Sequence, residues 1–242
     1  MGELTIEQDK KLSFMRLLLS SLLIFGTLSM GAQSEPDFRS YAQRSFSMYK
    51  ELLSLPNDAH YLEEIEQNVV WCEKAFNTRG FTTQRLETPE APLLLASRSS
   101  GIENAKTVLV YLQVDGQPVD SSFWFQDNPY EATLKKQGDE GGWEAIDWSN
   151  LDDTSFDDDW RIFARSASES KGPVAKFLTT LDIVRQEGKS VPYNLKIIMD
   201  FEEELGSPNL PAAVERYRQE LESDMLVIFD GPMHASGQPT LS

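Results

Sequence analysis

The chain has 242 residues, of which 40% are hydrophobic and 25% are charged, a balance typical of a globular protein with one large or two small domains. A single cysteine, Cys72, excludes a disulfide framework and a cysteine-based zinc cluster, and two histidines, His60 and His234, leave little room for a Ser-His-Asp triad. The formal net charge of −17 argues against a nucleic-acid partner bound through a basic face.

The first 32 residues have the order of a secretory signal peptide. Lys10, Lys11 and Arg16 precede an apolar stretch over residues 17–30, after which the chain becomes polar. This stretch is shorter than the about 20 apolar residues of a membrane span, which favours a cleaved signal peptide over an N-terminal membrane anchor. We therefore expect residues 1–32 to be removed and the mature chain to be secreted or periplasmic, without stable membrane insertion after cleavage.

The mature chain begins with two predicted helices. Apolar residues at helical spacing over 37–55 indicate an amphipathic helix, and Asp58 is a candidate N-cap of a second helix that ends near Asn77. Cys72 lies on the apolar face of the second helix, which indicates a buried thiol and not a nucleophile. Three strands are predicted next, the last of them a nearly continuous apolar run typical of a central strand, at 81–86, 92–97 and 107–114.

Residues 116–160 form a long insertion rich in aspartate, glycine and aromatic residues. We expect a solvated acidic loop and not a calcium site, because the aspartates lack the spacing of a calcium-binding loop. We expect five of its aromatic residues to fix it to the body of the protein: Trp124, Phe125, Trp143, Trp148 and Trp160. Helix and strand then alternate, at 172–187, 193–201, 210–221 and 225–229. This order predicts an α/β fold with a mixed, mostly parallel sheet flanked by helices.

Acidic and amide side chains follow three of the apolar strands, in Gln113-Val114-Asp115, in residues 200–204 and at Asp230. In open α/β sheets, ligands bind at the carboxyl ends of the strands. Carboxylates that converge there raise one another's pKa unless a cation lies among them. Oxygen-rich clusters suit zinc, manganese or magnesium, so the sequence predicts a metal site at this edge, with an ordinary solvated acidic surface as the alternative.

A further stretch, residues 165–173, is a small-residue loop that opens a helix. Its carboxylate, Glu169, is placed to face a metal, and the helix N-terminus is suited to an anion. The alternative is an ordinary helix start with Ser168 or Ser170 as the N-cap.

At these residues the chain resembles the dinuclear zinc exopeptidases, which comprise glutamate carboxypeptidases, aminoacylases, succinyl-diaminopimelate desuccinylases and carnosine-type dipeptidases. The family's strand ending in His-x-Asp is matched by VLVYLQVDGQPVD, and its Arg-Gly-x-x-Asp-x-Lys-Gly loop is matched by RSASESKGP. Its strand end with Glu-Glu-x-Gly-Ser is matched by DFEEELGSPNL, and its later strand ending in Asp by MLVIFDGP. The KGP and GSPNL details are most similar to the dipeptidase branch.

The resemblance implies a role for each matching residue. Glu203 falls on the general base, and Asp115 on the carboxylate that orients a neighbouring ligand. In the implied mechanism two zinc ions acidify a bridging water, Glu203 takes its proton, and a metal polarises the carbonyl of a small peptide or N-acyl amino acid. Four positions fall on metal ligands: Gln113, Glu169, Glu204 and Asp230.

The chain departs from the family pattern at two ligand positions. Gln113 replaces a histidine, and because an amide oxygen is a weaker zinc ligand than imidazole, manganese or magnesium competes with zinc. Glu169 replaces the bridging aspartate and is one methylene longer. Both departures favour a second hypothesis, a non-catalytic relative that binds peptides without hydrolysing them.

The family pattern also extends beyond this chain. Family members continue with a lid or dimerisation domain and then a late histidine ligand, so we expect residues 33–242 to be the N-terminal part of a metallopeptidase catalytic domain. A homodimer is then expected only with the lid domain present, and His234 is a weak candidate to replace the late histidine. A third hypothesis is an inactive truncated fragment.

Overall fold

The computed structural model describes residues 38–152 and 156–231. The expected signal peptide at residues 1–32 and the residue His234 lie outside the described residues, so both stay predictions. No helix among the described residues is long and apolar enough to cross a membrane.

Helices and strands follow the predicted order closely. The helices are α1 (Phe38–Leu53), α2 (Leu62–Asn77), α3 (Lys171–Gln186) and α4 (Leu210–Arg216). The strands are β1 (Thr82–Leu86), β2 (Leu93–Arg98), β3 (Thr107–Gln113), β4 (Thr133–Gln137), β5 (Trp143–Ala145), β6 (Arg161–Phe163), β7 (Asn194–Asp200) and β8 (Met225–Ile228).

The main sheet has the strand order β1-β2-β7-β3-β8. Strand β3 is parallel to both of its neighbours, β7 and β8, whereas β2 is antiparallel to β1 and β7. The register pairs Gln113 with Asp200, and Tyr111 with Ile228. The carboxyl ends of β3, β7 and β8 therefore lie side by side, and the predicted mixed α/β sheet is confirmed.

Hydrophobic side chains are buried on both faces of this sheet because successive strand residues point to opposite sides. Ile197 and Met199 of β7 pack in the larger core, under α2 and α3, while Ile198 packs in the smaller core under α4. Cys72 is fully buried in the larger core, as predicted. Because side chains of β3 and β7 are packed on both faces of the sheet, these two strands hold the residues after their carboxyl ends in place.

One predicted cap is wrong, and a second has the predicted position without the side-chain bond. Asp58 does not begin α2, which starts at Leu62, because the Asp58 backbone forms a parallel bridge with Gly116 and its carboxylate accepts from the N–H and ring of His60. Ser170 stands at the N-cap position of α3, but its hydroxyl donates to the carbonyl of Val114 and makes no cap bond. For Ser170 a long-range contact replaces the cap bond, whereas the Asp58 carboxylate bonds locally to His60 and only its backbone makes a long-range bridge. Helix α4 is also shorter than the predicted 210–221.

The insertion at residues 116–160 is more ordered than a solvated loop. Strands β4, β5 and β6 form a separate antiparallel sheet in the order β5-β4-β6. Trp148 packs edge-on against Phe46 of α1, with ring centroids 6.3 Å apart, which confirms the predicted aromatic anchoring at this residue. Phe125 is 97% exposed, so the same prediction is wrong there.

Candidate active site

Gln113 and Asp230 connect the ends of β3 and β8. Gln113 is the last residue of β3 and is buried, and its Nε2 donates to Oδ2 of Asp230 at 3.3 Å. Asp230 follows β8, and these two predicted ligands are 117 positions apart in sequence. The parallel pairing of β3 with β8 brings them together.

Asp115 connects β3 to the turn after β7. Its side chain is fully buried, Oδ2 accepts from the backbone N–H of Glu204 at 2.9 Å, and Oδ1 has no hydrogen-bond partner among the described residues. Burial raises the pKa of the Asp115 carboxyl to about 7, although backbone N–H groups of Glu204 and Glu203 oppose the shift. Asp115 is therefore a buried acid with one oxygen unsatisfied, at the junction of two strands.

Glu203 and Glu204 occupy one short 3-10 turn, Glu203–Leu205, directly after β7. Gly206 closes the turn with φ 84°, a left-handed conformation that glycine adopts without strain. The pKa of Glu203 is raised by burial and then by the negative charges of Glu204, Asp230 and Glu169. The candidate base thus lies among three of the predicted ligand carboxylates.

Two acidic residues of the 200–204 stretch to which the sequence assigned no role support this turn. Asp200 is buried, and its carboxylate accepts from Tyr111 Oη at 3.0 Å and from Ser207 Oγ at 2.7 Å. Glu202 is also buried and accepts from Asn209 Nδ2 at 2.9 Å. These bonds fix both ends of the turn that carries Glu203. The only sequence signal for Asp200 is its position as the last residue of an apolar strand.

The loop that carries Glu169 is held in place by residues on either side of Glu169 in the sequence, Ser166 and Lys171. Ser166, where the family has glycine, adopts φ 62°, and its Oγ accepts from Asn57 Nδ2 at 3.0 Å. Lys171 is fully buried and donates from Nζ to the carbonyls of Leu52, at 2.9 Å, and Leu55, at the end of α1. Burial lowers the pKa of Lys171 to about 7. Glu169 itself is exposed.

The donor chemistry of this cluster fits a divalent cation, whereas the described ligand set is incomplete. Carboxylate and amide oxygens, together with the unsatisfied Oδ1 of Asp115, are the donors that hard cations prefer. Within the described ranges, no three His, Cys, Asp or Glu side chains are arranged to hold a metal ion. The histidine and the cysteine that the structure describes lie elsewhere, because His60 pairs with Asp58 and Cys72 is in the core.

Comparison with known proteins finds that the chain is similar to dipeptidases. No protein-family model matches the chain. It is 27% identical over 156 residues to the Beta-Ala-His dipeptidase of Mus musculus, an alignment that covers 64% of this chain and 27% of the relative. It is 25% identical over 207 residues to the Cysteinylglycine-S-conjugate dipeptidase of Corynebacterium striatum, covering 83% of this chain and 40% of the relative.

Comparison with solved structures gives relatives of the same kind. The M20 family metallo-carboxypeptidase from Sulfolobus solfataricus matches with a TM-score of 0.64 and 25% identity, covering 81% of this chain and 39% of that one. Human carnosine dipeptidase 1 shares the fold, with a TM-score of 0.62 and 20% identity over 79% of this chain and 39% of that one. The resemblance expected from the four motifs is confirmed: the homologues are dipeptidases and metallopeptidases, and these are hydrolases. The chain spans well under half the length of each of these relatives.

Proposed function

We propose that this chain carries part of the active site of a metal-dependent dipeptidase, with Glu203 as general base. The observation that supports it is the convergence of distant motif residues: Gln113 lies 3.3 Å from Asp230, and Asp115 binds the backbone N–H of Glu204 at 2.9 Å. The relatives are named for small peptide or conjugate substrates, so a dipeptide or an N-acyl amino acid is the proposed substrate class.

The proposed ligands are Gln113, Glu169, Glu204 and Asp230, with zinc as the first candidate, two ions in a complete site, and manganese or magnesium as alternatives. A bound cation would supply positive charge that acidifies a water and polarises the substrate carbonyl. Glu203 accepts the proton of that water and passes it to the leaving amine. Its raised pKa brings the carboxylate nearer the operating pH, which favours reversible proton transfer.

Other residues of the chain position this base. Asp115 holds the backbone of Glu204, the residue after Glu203. Asp200 holds Ser207 beyond the turn and Tyr111 on β3, so the turn is fixed at both ends. We propose that these bonds keep Glu203 oriented toward the substrate, because a general base must lie within hydrogen-bond reach of the proton it accepts.

A second candidate function is peptide binding without hydrolysis. It is favoured by two amide donors: Gln113 donates to Asp230, and Gln117 Nε2 donates to Glu204 Oε2. These amides form hydrogen bonds with Asp230 and Glu204, two carboxylates that the metallopeptidase hypothesis assigns to a metal. Such a site would bind the amine end of a peptide through its remaining carboxylates.

We also propose export for this protein. Residues 1–32 have the order of a signal peptide, and the net charge of −17 is compatible with a secreted or periplasmic protein. N-terminal sequencing of the exported protein tests this directly. A mature N-terminus near residue 33 is expected, and retention of Lys10 in the exported protein would contradict it.

The metallopeptidase proposal is tested by metal content and dipeptide hydrolysis on the same dialysed sample. We expect retained divalent metal and turnover in the parent protein, and a loss of rate of about 100- to 10,000-fold in Glu203→Gln. Glu215→Gln, on an exposed carboxylate paired with Arg218, is the matched control and should keep the parent rate. An undiminished rate in Glu203→Gln rules out the proposed base. Dipeptide binding without metal or turnover would favour the second candidate.

A further inference from the structure

Asn57 holds the backbone on both sides of Asp115. This asparagine lies between α1 and α2 and is fully buried. Its side-chain Nδ2 donates to the carbonyl of Val114 at 2.7 Å, and its backbone carbonyl accepts from the N–H of Gly116 at 2.9 Å. One residue therefore fixes the peptide group before Asp115 and the peptide group after it.

The surroundings of the Asn57 amide are closely packed. Besides its bond to the carbonyl of Val114, Nδ2 donates to Ser166 Oγ at 3.0 Å. A Cβ built on Gly116 would lie 3.0 Å from this Nδ2, so a side chain at 116 would displace the amide. A buried amide with two acceptors and close neighbours is held in one position, and it holds the backbone groups that it binds.

The same amide also contacts the loop that carries Glu169. Ser166 and Ser170 lie on either side of Glu169, and both have left-handed backbone conformations, with φ of 62° and 65°. Such conformations are strained for serine and persist where neighbouring bonds hold them. Ser166 Oγ accepts from the Asn57 amide, and Ser170 Oγ donates at 3.4 Å to the carbonyl that Asn57 binds. The loop and the end of β3 therefore meet at Asn57 and its acceptor.

We propose that Asn57 is a positioning residue of the site, which orients Asp115 and, through Asp115, the turn that carries the base Glu203. The inference rests on the proposed function. Asp115 Oδ2 accepts from the backbone N–H of Glu204 at 2.9 Å, so the position of the Asp115 backbone fixes the position of this turn. Asn57 is 57 positions from Val114, whose carbonyl it binds, so its role follows from the fold and not from the spacing of the motifs.

The test measures hydrogen exchange of the Glu204 amide, whose N–H donates to Asp115, by NMR on the full chain in EDTA. Neither a metal nor hydrolysis then contributes to the result. In Asn57→Ala we expect this amide to exchange about tenfold or more faster than in the parent, because losing a buried hydrogen bond changes a local opening equilibrium by about that factor. In a chain that hydrolyses dipeptides, the same variant should lower kcat and leave KM unchanged, because it moves the base and not the groups that bind substrate.

Two further variants separate positioning from a general loss of stability. Asn194→Ala removes another asparagine whose side chain bonds the backbone of distant residues, Ser100 and Ala105, but at the first residue of β7, the far end of the strand from the turn. It should leave exchange at Glu204 unchanged. Asn57→Ser keeps one hydroxyl donor and should give a rate between those of the parent and Asn57→Ala.

Three results would overturn the proposal: an unchanged rate of Glu204 exchange in Asn57→Ala, an acceleration no larger than that in Asn194→Ala, or an unchanged kcat in an Asn57→Ala chain whose parent hydrolyses dipeptides. Thermal unfolding identifies a variant that does not fold, and if Asn57→Ala is one, Asn57→Ser is judged by the same comparisons. The outcome is separable from the proposed function. Faster Glu204 exchange without any hydrolysis by the parent chain supports Asn57 and contradicts the peptidase, whereas hydrolysis by the parent with unchanged Glu204 exchange does the reverse.

Discussion

The carboxylate of Asp115 accepts a hydrogen bond from the backbone N–H of Glu204, 89 positions further along the chain. This contact joins the end of β3 to the turn that carries the candidate base. It uses one carboxylate oxygen and leaves the other buried without a partner. The same side chain therefore positions the site and lowers the stability of the fold whenever it is ionised.

Replacing Asp115 with asparagine is expected to stabilise the metal-free protein at high pH. The folded-state pKa is about 7 against 3.8 for the ordinary carboxyl, so the wild-type protein loses stability as pH rises from about 4 to 7. Asparagine keeps an acceptor for Glu204 without the buried charge. We expect a gain of about 2–4 kcal/mol at pH 8 and none near pH 4, measured by urea unfolding in EDTA. Asp120→Asn, at an exposed carboxylate bonded to Ser122, should give no such gain.

The titration of Lys171 is expected to change the stability of the fold in the opposite direction, and in a higher pH range. Its folded-state pKa is about 7, below the 10.5 of an ordinary lysine, so the unfolded chain binds more protons between these values. Wild-type stability should therefore rise by up to about 1.4 kcal/mol per pH unit above pH 7, from this group alone. Lys171→Met removes the titration and should flatten that rise in urea unfolding at pH 7, 8 and 9. Lys176→Met, at an exposed position on α3, is the control, and an equally flat profile in it would contradict the assignment.

Gln113→His is expected to strengthen zinc binding at the candidate site. The change replaces an amide, which donates to Asp230, with an imidazole that is a better zinc ligand. We expect the zinc dissociation constant to fall about tenfold or more, measured by competition with a chromogenic chelator. Gln84→His, on the exposed side of β1, supplies the same ligand away from the site. Equal zinc affinity in the two variants would show that Gln113 is not next to a metal position.

Sequence patterns predicted the main sheet because its strands are apolar and bounded by turn residues. The run at 107–114 became β3, the central parallel strand of the candidate site, and the run at 193–201 became β7. The acidic residues after these strands could also be predicted as candidate ligands, because the end of each apolar run marks the end of its strand, where ligands bind in α/β sheets. Cys72 was placed in the core from helical spacing alone.

Contacts between distant segments could not be predicted in this way. Asp58 pairs with Gly116 instead of capping a helix, and only the folded sheet brings these residues together. The small sheet formed by the insertion and the residues just after it was missed because β5 and β6 have three residues each, too short for a period to be recognised. Glycines with positive φ at 141 and 142 mark the hairpin between β4 and β5 and were the available signal.

The close approach of Gly116 and Ser166 makes the two positions epistatic. A Cβ at 116 would lie 2.3 Å from Ser166 Oγ and 3.0 Å from Asn57 Nδ2, so alanine at 116 requires both side chains to shift. Removing the Ser166 side chain would relieve the tighter of these two contacts, so the cost of alanine at 116 depends on which residue stands at 166.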